Sequence, residues 1–295
     1  MMAPSVSNYG PAPSPLELVD TPFYSQQQFQ CGPAALMTVL TASGVSTTLD
    51  AVSQQVYLPA RQGSLQSEIL AASRAAERIP YVLMPELSSI TGELATGRPV
   101  LVLLNLGVSW APRWHYAVVV GTDAGSEQTV LRSGTDERRV MRTPVFLRTW
   151  KRSNFWAMSI LRPGELPANP DRSRYIEAVA GLEQTGHPLA ARDAWQAGLS
   201  QWPDDSVLLF GLANSHYALG NFSEAERLFL VMLRIDDESL IARNNLAMTL
   251  AAQGRNREAL EQIDTALSRV GDSPLLDELL DTRNMILSTD NSASN

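Results

Sequence analysis

The sequence is poor in the residues that build several common kinds of functional site. Of its 295 residues, one is a cysteine and three are histidines, so no intramolecular disulfide can form. No metal-ligand cluster, glycine-rich phosphate loop or nucleotide motif is present, and we therefore expect no metal and no cofactor. No apolar run approaches the length of about 18 residues that indicates a membrane-spanning helix. The formal net charge of −8 argues against nucleic acid and anionic membranes as partners.

The remaining composition is that of a globular protein. Hydrophobic residues make up 44% and charged residues 18% of the chain, as in soluble domains, and the length suits one large or two ordinary domains. Residues 1–20 are rich in proline, serine, alanine and asparagine, which predicts a disordered N-terminal tail. Residues 1–15 lack the basic and apolar regions of a signal peptide, so a cytoplasmic location is the default expectation, with the periplasm or cell envelope as the alternative if a leader has been removed.

The single cysteine, Cys31, lies between a polar segment and a helical pattern. Pro33 suits the first turn of a helix, a run of alanine, leucine and methionine follows, and Gly44 marks the end. Unpaired N–H groups and the positive end of the helix dipole would then point at the sulfur and favour the nucleophilic thiolate. Gln26, upstream in the polar segment, is an amide donor for an oxyanion. The alternative is that Cys31 is a small buried hydrophobic residue.

The first half of the chain predicts helices followed by a sheet. Helical patterns cover about residues 31–43, 49–56, 65–78 and 88–95, and strand patterns cover 81–84, 100–104, 115–121 and 128–131, with two more at 138–141 and 155–161. A short strand is also predicted at 21–24. Helices that precede a mainly antiparallel sheet indicate an α+β domain over residues 21–162, with the helix after Cys31 packed on the sheet.

A cysteine nucleophile needs a base that first takes and then returns a proton. Of the three histidines, only His115 stands at the start of an apolar strand, where its ring can face a cleft; His187 and His216 fall in the helical second half. The alternative interpretation of His115 is a core histidine bonded to a backbone carbonyl. We predict Cys31 and His115 as the catalytic pair.

Two motifs in this half resemble a known family. The segment from Gln26 to Leu36 (Gln-x-x-x-x-Cys-Gly-Pro-Ala-Ala-Leu) and the segment from Trp114 to Gly121 (Trp-His-Tyr-Ala-Val-Val-Val-Gly) are similar to the nucleophile and histidine motifs of papain-like cysteine peptidases. The relevant members are those related to the bacterial bacteriocin-processing, double-glycine leader peptidases. The resemblance covers about residues 21–162. It implies a papain-like fold, peptide-bond hydrolysis by the Cys–His pair, and Gln26 as the oxyanion donor.

The third catalytic position departs from that family. Where the family has an aspartate on the strand after the histidine, this sequence has Ser133, a neutral hydroxyl that orients an imidazole more weakly than a carboxylate does. Asn105, which ends the preceding strand, and Asp136, just beyond Ser133, are the alternatives. Because the third member mainly fixes the tautomer and orientation of the histidine, a Cys–His pair can work without a charged partner.

The second half of the chain is repetitive. Residues 163–170 contain three prolines and a glycine, which predicts a linker. Beyond them, four columns recur with a spacing of 34 residues: Gly186, Gly220 and Gly254; Ala191, Ala225 and Ala259; Trp195, Phe229 and Ile263; and Val179, Ala213 and Ala247. This is the period of the tetratricopeptide repeat, which the segment resembles. We predict an all-α solenoid of three repeats plus a capping helix over residues 171–288, and a disordered tail at 289–295.

These patterns favour a cysteine peptidase whose repeats recruit a protein substrate or another protein partner. Two alternatives stay open: another acyl transfer on the same Cys–His pair, such as amidase or transglutaminase-like chemistry, and a scaffold that binds peptides without cleaving them. Trp110, Pro112 and Trp114 crowd the loop before His115. They line an apolar substrate groove in one interpretation and pack the domain together in the other.

Overall fold

The structure, a computed structural model, describes residues 15–25 and 30–293. The chain divides into two compact units, the first extending through Thr185 and the second beginning at Gly186. Within the described ranges, no helix is both long and apolar enough to cross a membrane.

The first unit is an antiparallel sheet with helices. In chain order its elements are β1 (Leu16–Glu17), α1 (Cys31–Ala42), α2 (Leu49–Val56), a 3-10 turn (Pro59–Arg61), α3 (Gln66–Ala75), β2 (Ile79–Val82), α4 (Leu87–Ala95), β3 (Val100–Asn105), β4 (Trp114–Asp123), β5 (Gln128–Ser133), β6 (Asp136–Arg142), α5 (Thr143–Lys151), β7 (Ala157–Leu161) and α6 (Arg172–Glu183). The strand order is β2-β7-β3-β4-β5-β6, with β1 added beside β4. Every pairing is antiparallel, as predicted for this half of the chain.

Helix α1 is the central helix of the first unit. Its residues from Gly32 to Leu40 are all buried, and they pack against alternate residues of β4, namely Tyr116, Val118 and Val120. A helix that is apolar on all sides is expected where it is enclosed by the core. This packing fixes the start of α1 beside the start of β4.

The C-terminal end of α1 is closed by two arginines. The backbone carbonyl of Ser43, just after the helix, accepts hydrogen bonds from Arg78 Nη2 at 3.2 Å and from Arg162 Nε at 3.0 Å. Cations at this end of a helix satisfy its free carbonyls and oppose the negative end of its dipole. Both ends of α1 are thereby held at fixed places in the unit.

The N-terminal segment is more ordered than the sequence predicted. The strand expected at 21–24 is absent from this described stretch, and strand β1 instead lies at Leu16–Glu17, inside the tail predicted to be disordered; residues 1–14 lie outside the described residues. Arg132, which is buried, donates to the carbonyls of Val19 at 2.9 Å and Thr21 at 3.2 Å. Glu17 also forms two 2.8 Å hydrogen bonds with Arg138. These long-range contacts order a segment whose local composition favours disorder.

The segment 163–170, predicted as a linker, is attached to the first unit. The buried carboxylate of Glu93 accepts a 2.7 Å hydrogen bond from the Ala168 amide and a 2.6 Å bond from Arg98. The Tyr81 hydroxyl accepts a 3.0 Å bond from the Asp171 amide. Helix α6 continues from there and packs on β2 and α3. The observed division between units therefore lies near residue 185, beyond the predicted linker.

The described residues of the second unit form helices joined by turns. The unit contains α7 (Pro188–Gln201), α8 (Ser206–Ala218), α9 (Phe222–Ile235), α10 (Leu240–Ala252), α11 (Asn256–Arg269) and α12 (Leu276–Ala293), and each helix packs against the next. The glycine column lies at turns with positive φ of 78°, 74° and 75°. The alanine and bulky columns are buried between helices. The repeat pattern read from the sequence is confirmed.

The C-terminal helix is longer than predicted. The sequence indicated a helix over about 275–286 and a disordered tail at 289–295, whereas α12 continues to Ala293; the last two residues lie outside the described ranges. Leu279 and Ile286 are buried, and α12 packs on α10 and α11. Once packing has fixed the first turns, each further residue extends the helix at low cost, even where the residues are polar.

Candidate active site

Cys31 is the first residue of α1. The N-cap residue, Gln30, makes no side-chain capping bond, and Pro33 carries no amide hydrogen. The first helical amide to reach back is that of Ala34, which donates to the Gln30 carbonyl at 3.2 Å. The preceding amides therefore have no partner within the helix and are oriented toward its N-terminal end, where an anion is favoured. The Cys31 side chain is partly exposed.

A side chain at the position after Cys31 would collide with Ser64. A Cβ atom on Gly32 would lie 2.6 Å from Cβ of Ser64 and 3.6 Å from the Tyr116 ring. The Tyr116 hydroxyl also donates to the Ser64 carbonyl at 3.4 Å. Burial raises the pKa of Tyr116, and the nearby Cys31 side chain raises it further. The nucleophile candidate thus lies beside the residue that follows His115.

His115 is held by Ser133. Strand β4 places His115 opposite Leu104 of β3, and Nε2 of its ring lies 2.8 Å from Ser133 Oγ. Ser133 ends β5 and is only 3% exposed, so this hydrogen bond is protected from water. Which group donates depends on the tautomer of the imidazole. The pair fixes the orientation of the ring, as the third member of a cysteine–histidine site would.

His115 is held in its neutral form. Burial is the largest cause, and the positive charges of Arg139 and then Arg113 add to it, so that the pKa of His115 falls to about 4. A neutral imidazole at pH 7 can accept a proton but does not form a preformed ion pair with a thiolate. Ser133 adds no negative charge that would offset the two arginines.

Asn105 and Asp136, the other candidates for the third catalytic position, have partners other than His115. Asn105 Oδ1 accepts hydrogen bonds from the amides of Gly107 at 2.9 Å and Arg113 at 3.0 Å, so it organises the loop before β4. Asp136 is exposed, and its carboxylate lies 4.0 Å from Arg139. Ser133 is the member of the three that contacts His115.

The site is only partly assembled. Cys31 lies next to Tyr116 and His115 is bonded to Ser133, but among the described residues no hydrogen bond joins the Cys31 thiol to the imidazole. Gln26, the predicted oxyanion donor, lies outside the described residues. Sequence reasoning missed Ser64, which packs against Gly32; the glycine directly after Cys31 is the feature of the sequence that indicates a close contact there. In the part of the chain that the structure describes, no cluster of metal-ligating side chains occurs.

Comparison with known families identifies the repeats. The tetratricopeptide repeat family matches residues 181–239 and again residues 239–269. These residues are tetratricopeptide repeats. Because such repeats stack into surfaces that bind other proteins, the second unit is a protein-interaction unit. The tetratricopeptide match begins close to the start of the second unit at Gly186.

Solved structures of low sequence identity resemble parts of this chain. A C39-like peptidase from Bacillus anthracis is 13% identical, covers 51% of this chain and 98% of its own, and has a TM-score of 0.42. The Yersinia enterocolitica type III secretion chaperone SycD, in complex with a peptide of the translocator YopD, is 19% identical over 42% of this chain and 94% of its own, with a TM-score of 0.38. The first tetratricopeptide domain of Spaghetti (RPAP3), bound to an HSP90 peptide, is 17% identical over 40% and 91%, with a TM-score of 0.37. A search of curated proteins found no match. None of these similarities assigns a role to a residue of this chain.

Proposed function

We propose that the first unit is a cysteine peptidase and that the tetratricopeptide repeats recruit its protein substrate or a partner. The observation that carries the proposal is the pairing of two features around Tyr116. Cys31 begins a buried helix whose first amides are free of side-chain caps, and a neutral His115 is oriented by Ser133 one residue away from Tyr116. A nucleophile, an oriented base and an anion-stabilising helix end are the components that acyl transfer requires.

The proposed reaction uses these groups in turn. His115 takes the proton of the Cys31 thiol as the sulfur attacks the substrate carbonyl, forming a C–S bond. The oxyanion is stabilised by the amides at the start of α1, with Gln26 as a second donor. The protonated imidazole then gives its proton to the leaving amine as the C–N bond breaks. Water, deprotonated by His115, attacks the thioester; a C–O bond replaces the C–S bond and the thiol is restored.

This mechanism requires the thiol and the imidazole to approach each other when substrate binds. Catalytic hydrogen bonds are often long or absent in the free enzyme and tighten in the complex. Binding of a peptide across α1 and β4 would also remove water from the site and strengthen the interactions within it. We therefore expect Cys31 of the free protein to react slowly and with a modest dependence on His115, and to react faster when substrate is bound.

A direct test measures alkylation of Cys31 by iodoacetamide as a function of pH. Because the chain has one cysteine, every labelled thiol is Cys31, and Cys31→Ser gives the blank. We expect His115→Ala to slow labelling near neutral pH relative to the wild type, and a peptide library to be cleaved by the wild type but not by Cys31→Ser. Equal labelling of wild type and His115→Ala at every pH, with no cleaved peptide, would contradict the proposal.

The second candidate function is a peptide-binding scaffold without catalysis. Its support is the missing hydrogen bond between Cys31 and His115, together with the pKa of His115 near 4. In that case the first unit would bind a peptide equally well after Cys31→Ser and release it uncleaved. Mass spectrometry of peptides recovered from the wild type and from Cys31→Ser separates the two functions, since only a peptidase yields products in the first sample alone.

A further inference from the structure

The hairpin between strands β3 and β4, residues 106–114, leads into His115 and exposes a cluster of large apolar side chains. Trp110 is 87% exposed, Trp114 55% and Val108 43%. Isolated exposed apolar residues are ordinary, but three within seven positions, two of them tryptophans, form a patch that suits a partner. Trp114 immediately precedes His115, so the patch borders the candidate active site.

This hairpin is held in place by hydrogen bonds of its backbone, although its tryptophans are exposed. Asn105 Oδ1 bonds the amides at both ends of the hairpin, those of Gly107 and Arg113. Val108 and Ala111 exchange two backbone hydrogen bonds of 3.2 and 3.1 Å across the tip. A Cβ on Gly107 would collide with the Ala111 carbonyl. The exposed side chains are therefore displayed on a fixed frame, which lowers the entropy lost when a ligand binds them.

The same edge carries positive charge in a protein of net charge −8. Arg113 in the hairpin and Arg139 on β6 both act on His115, and Arg152 holds the Gly107 carbonyl at 2.6 Å. The carboxylate of Asp136 lies 4.0 Å from Arg139, and its side chain is 59% exposed, so it is too distant and too hydrated to neutralise Arg139 fully. Among the described residues, none of the charges that act on His115 is negative.

We propose that the hairpin and its arginines select an extended peptide segment in which a bulky apolar residue neighbours an acidic one. The apolar residue packs on Trp110 and Trp114, and the carboxylate pairs with Arg113 and Arg139. Planar guanidinium groups bind carboxylates with two parallel hydrogen bonds, and tryptophan offers a large rigid face at low entropic cost. The segment would also bring to His115 the negative charge that a serine at position 133 does not supply. This inference rests on the proposed function, whose substrate class it names.

The test uses the full chain with Cys31→Ala, so that binding is measured without cleavage. A random peptide library is selected on this protein, and the selected sequences are compared with those obtained on the same protein carrying Trp110→Ala or Arg113→Gln. Matched controls are Val140→Ala, an apolar side chain 43% exposed on β6, and Arg257→Gln, an arginine 91% exposed in the repeats. We expect neighbouring acidic and bulky apolar residues to be enriched, and the enrichment to be lost only in the two hairpin variants.

Synthetic peptides then give the magnitudes. Replacing the acidic residue of a selected peptide by its amide should weaken binding about threefold to fivefold at low salt and less at high salt, as for an exposed ion pair. Replacing the bulky residue by alanine should weaken it about tenfold or more, as at an aromatic anchor. No enrichment, or enrichment that survives Trp110→Ala and Arg113→Gln, would overturn the inference. If this occurs while iodoacetamide labelling of Cys31 still depends on His115, the peptidase proposal stands and only the substrate class is wrong.

Discussion

A carboxylate at position 133 should raise the pKa of His115 and so favour the imidazolium form in the free protein. In the structure, His115 Nε2 lies 2.8 Å from Ser133 Oγ, and the serine is 3% exposed, so the substitution Ser133→Asp would put a negative charge in contact with the ring and away from water. An opposite charge at this range shifts a pKa by about 1–3 units. From its present value of about 4, the pKa of His115 should rise by that amount, and each unit corresponds to about 1.4 kcal/mol in favour of the imidazolium.

The assay is an NMR titration of the histidine ring protons. Three histidines are present, and loss of one signal in His115→Ala assigns the resonance. We expect His115 to titrate near pH 4 in the wild type, well above it in Ser133→Asp, and near the wild-type value in Ser133→Asn, which matches the shape of aspartate without its charge. Alkylation of Cys31 at neutral pH should increase in Ser133→Asp only.

Two results would refute this reasoning. If His115 already titrates near the ordinary value of about 6.5 in the wild type, the ring is not held neutral by burial and the two arginines. If Ser133→Asp and Ser133→Asn shift the titration equally, the hydrogen bond rather than charge controls the ring, and the absent carboxylate does not explain the neutral state.

Three further predictions concern stability and are measured by chemical denaturation. Gly32→Ala should destabilise the first unit by about 1–3 kcal/mol, because its Cβ would lie 2.6 Å from Ser64 Cβ. Ser64→Gly in the same chain should restore most of the lost stability. Equal stability of Gly32→Ala and wild type would show that the loop carrying Ser64 is free to move away. Gly211→Ala should destabilise the repeats by a similar amount of about 1–3 kcal/mol, because its Cβ would lie 2.6 Å from Cδ2 of the Trp195 ring. Trp195→Leu should relieve the clash, and a failure of that rescue would contradict the packing. The pKa of His115 is about 4 in the folded protein and about 6.5 in the unfolded chain. Between these two pH values the unfolded chain binds more protons than the folded protein. His115 therefore lowers the free energy of unfolding as the pH falls, by up to about 3 kcal/mol below pH 4. His115→Asn should remove that part of the acid sensitivity, and an unchanged pH profile would count against the buried neutral ring.

The elements predicted best from the sequence are those defined by local pattern. The helix that starts at Cys31 was predicted within one residue of its observed end at Ala42, because its capping residues and apolar content are contiguous. The repeats were predicted because small and bulky residues that pack between helices recur with a spacing of 34 residues. Strand β1 escaped prediction because it has two residues and forms by pairing with β4, which lies far along the chain.

The candidate site was predictable in composition but not in arrangement. Cys31 and His115 stand out as the lone cysteine and the one histidine on an apolar strand. Their neighbours do not, because the contact of Ser64 with Gly32 and the bond from Ser133 to His115 join residues that only the fold brings together. Asn105 was a reasonable candidate for the third catalytic position, but its Oδ1 accepts hydrogen bonds from the loop amides instead. The roles of Gln26 and Ser133 in catalysis stay predictions.

The hydrogen bonds of Glu93 determine where the chain can be divided into fragments for separate expression. Its carboxylate is 1% exposed and depends on the amide of Ala168 for one of its partners. A gene fragment that stops at residue 162 would remove that amide together with helix α6, leaving the Glu93 carboxylate with Arg98 but without the Ala168 amide, and leaving the faces of β2 and α3 uncovered. A fragment that runs through Thr185 keeps every one of these partners, so it is the version to express for separate biophysical work.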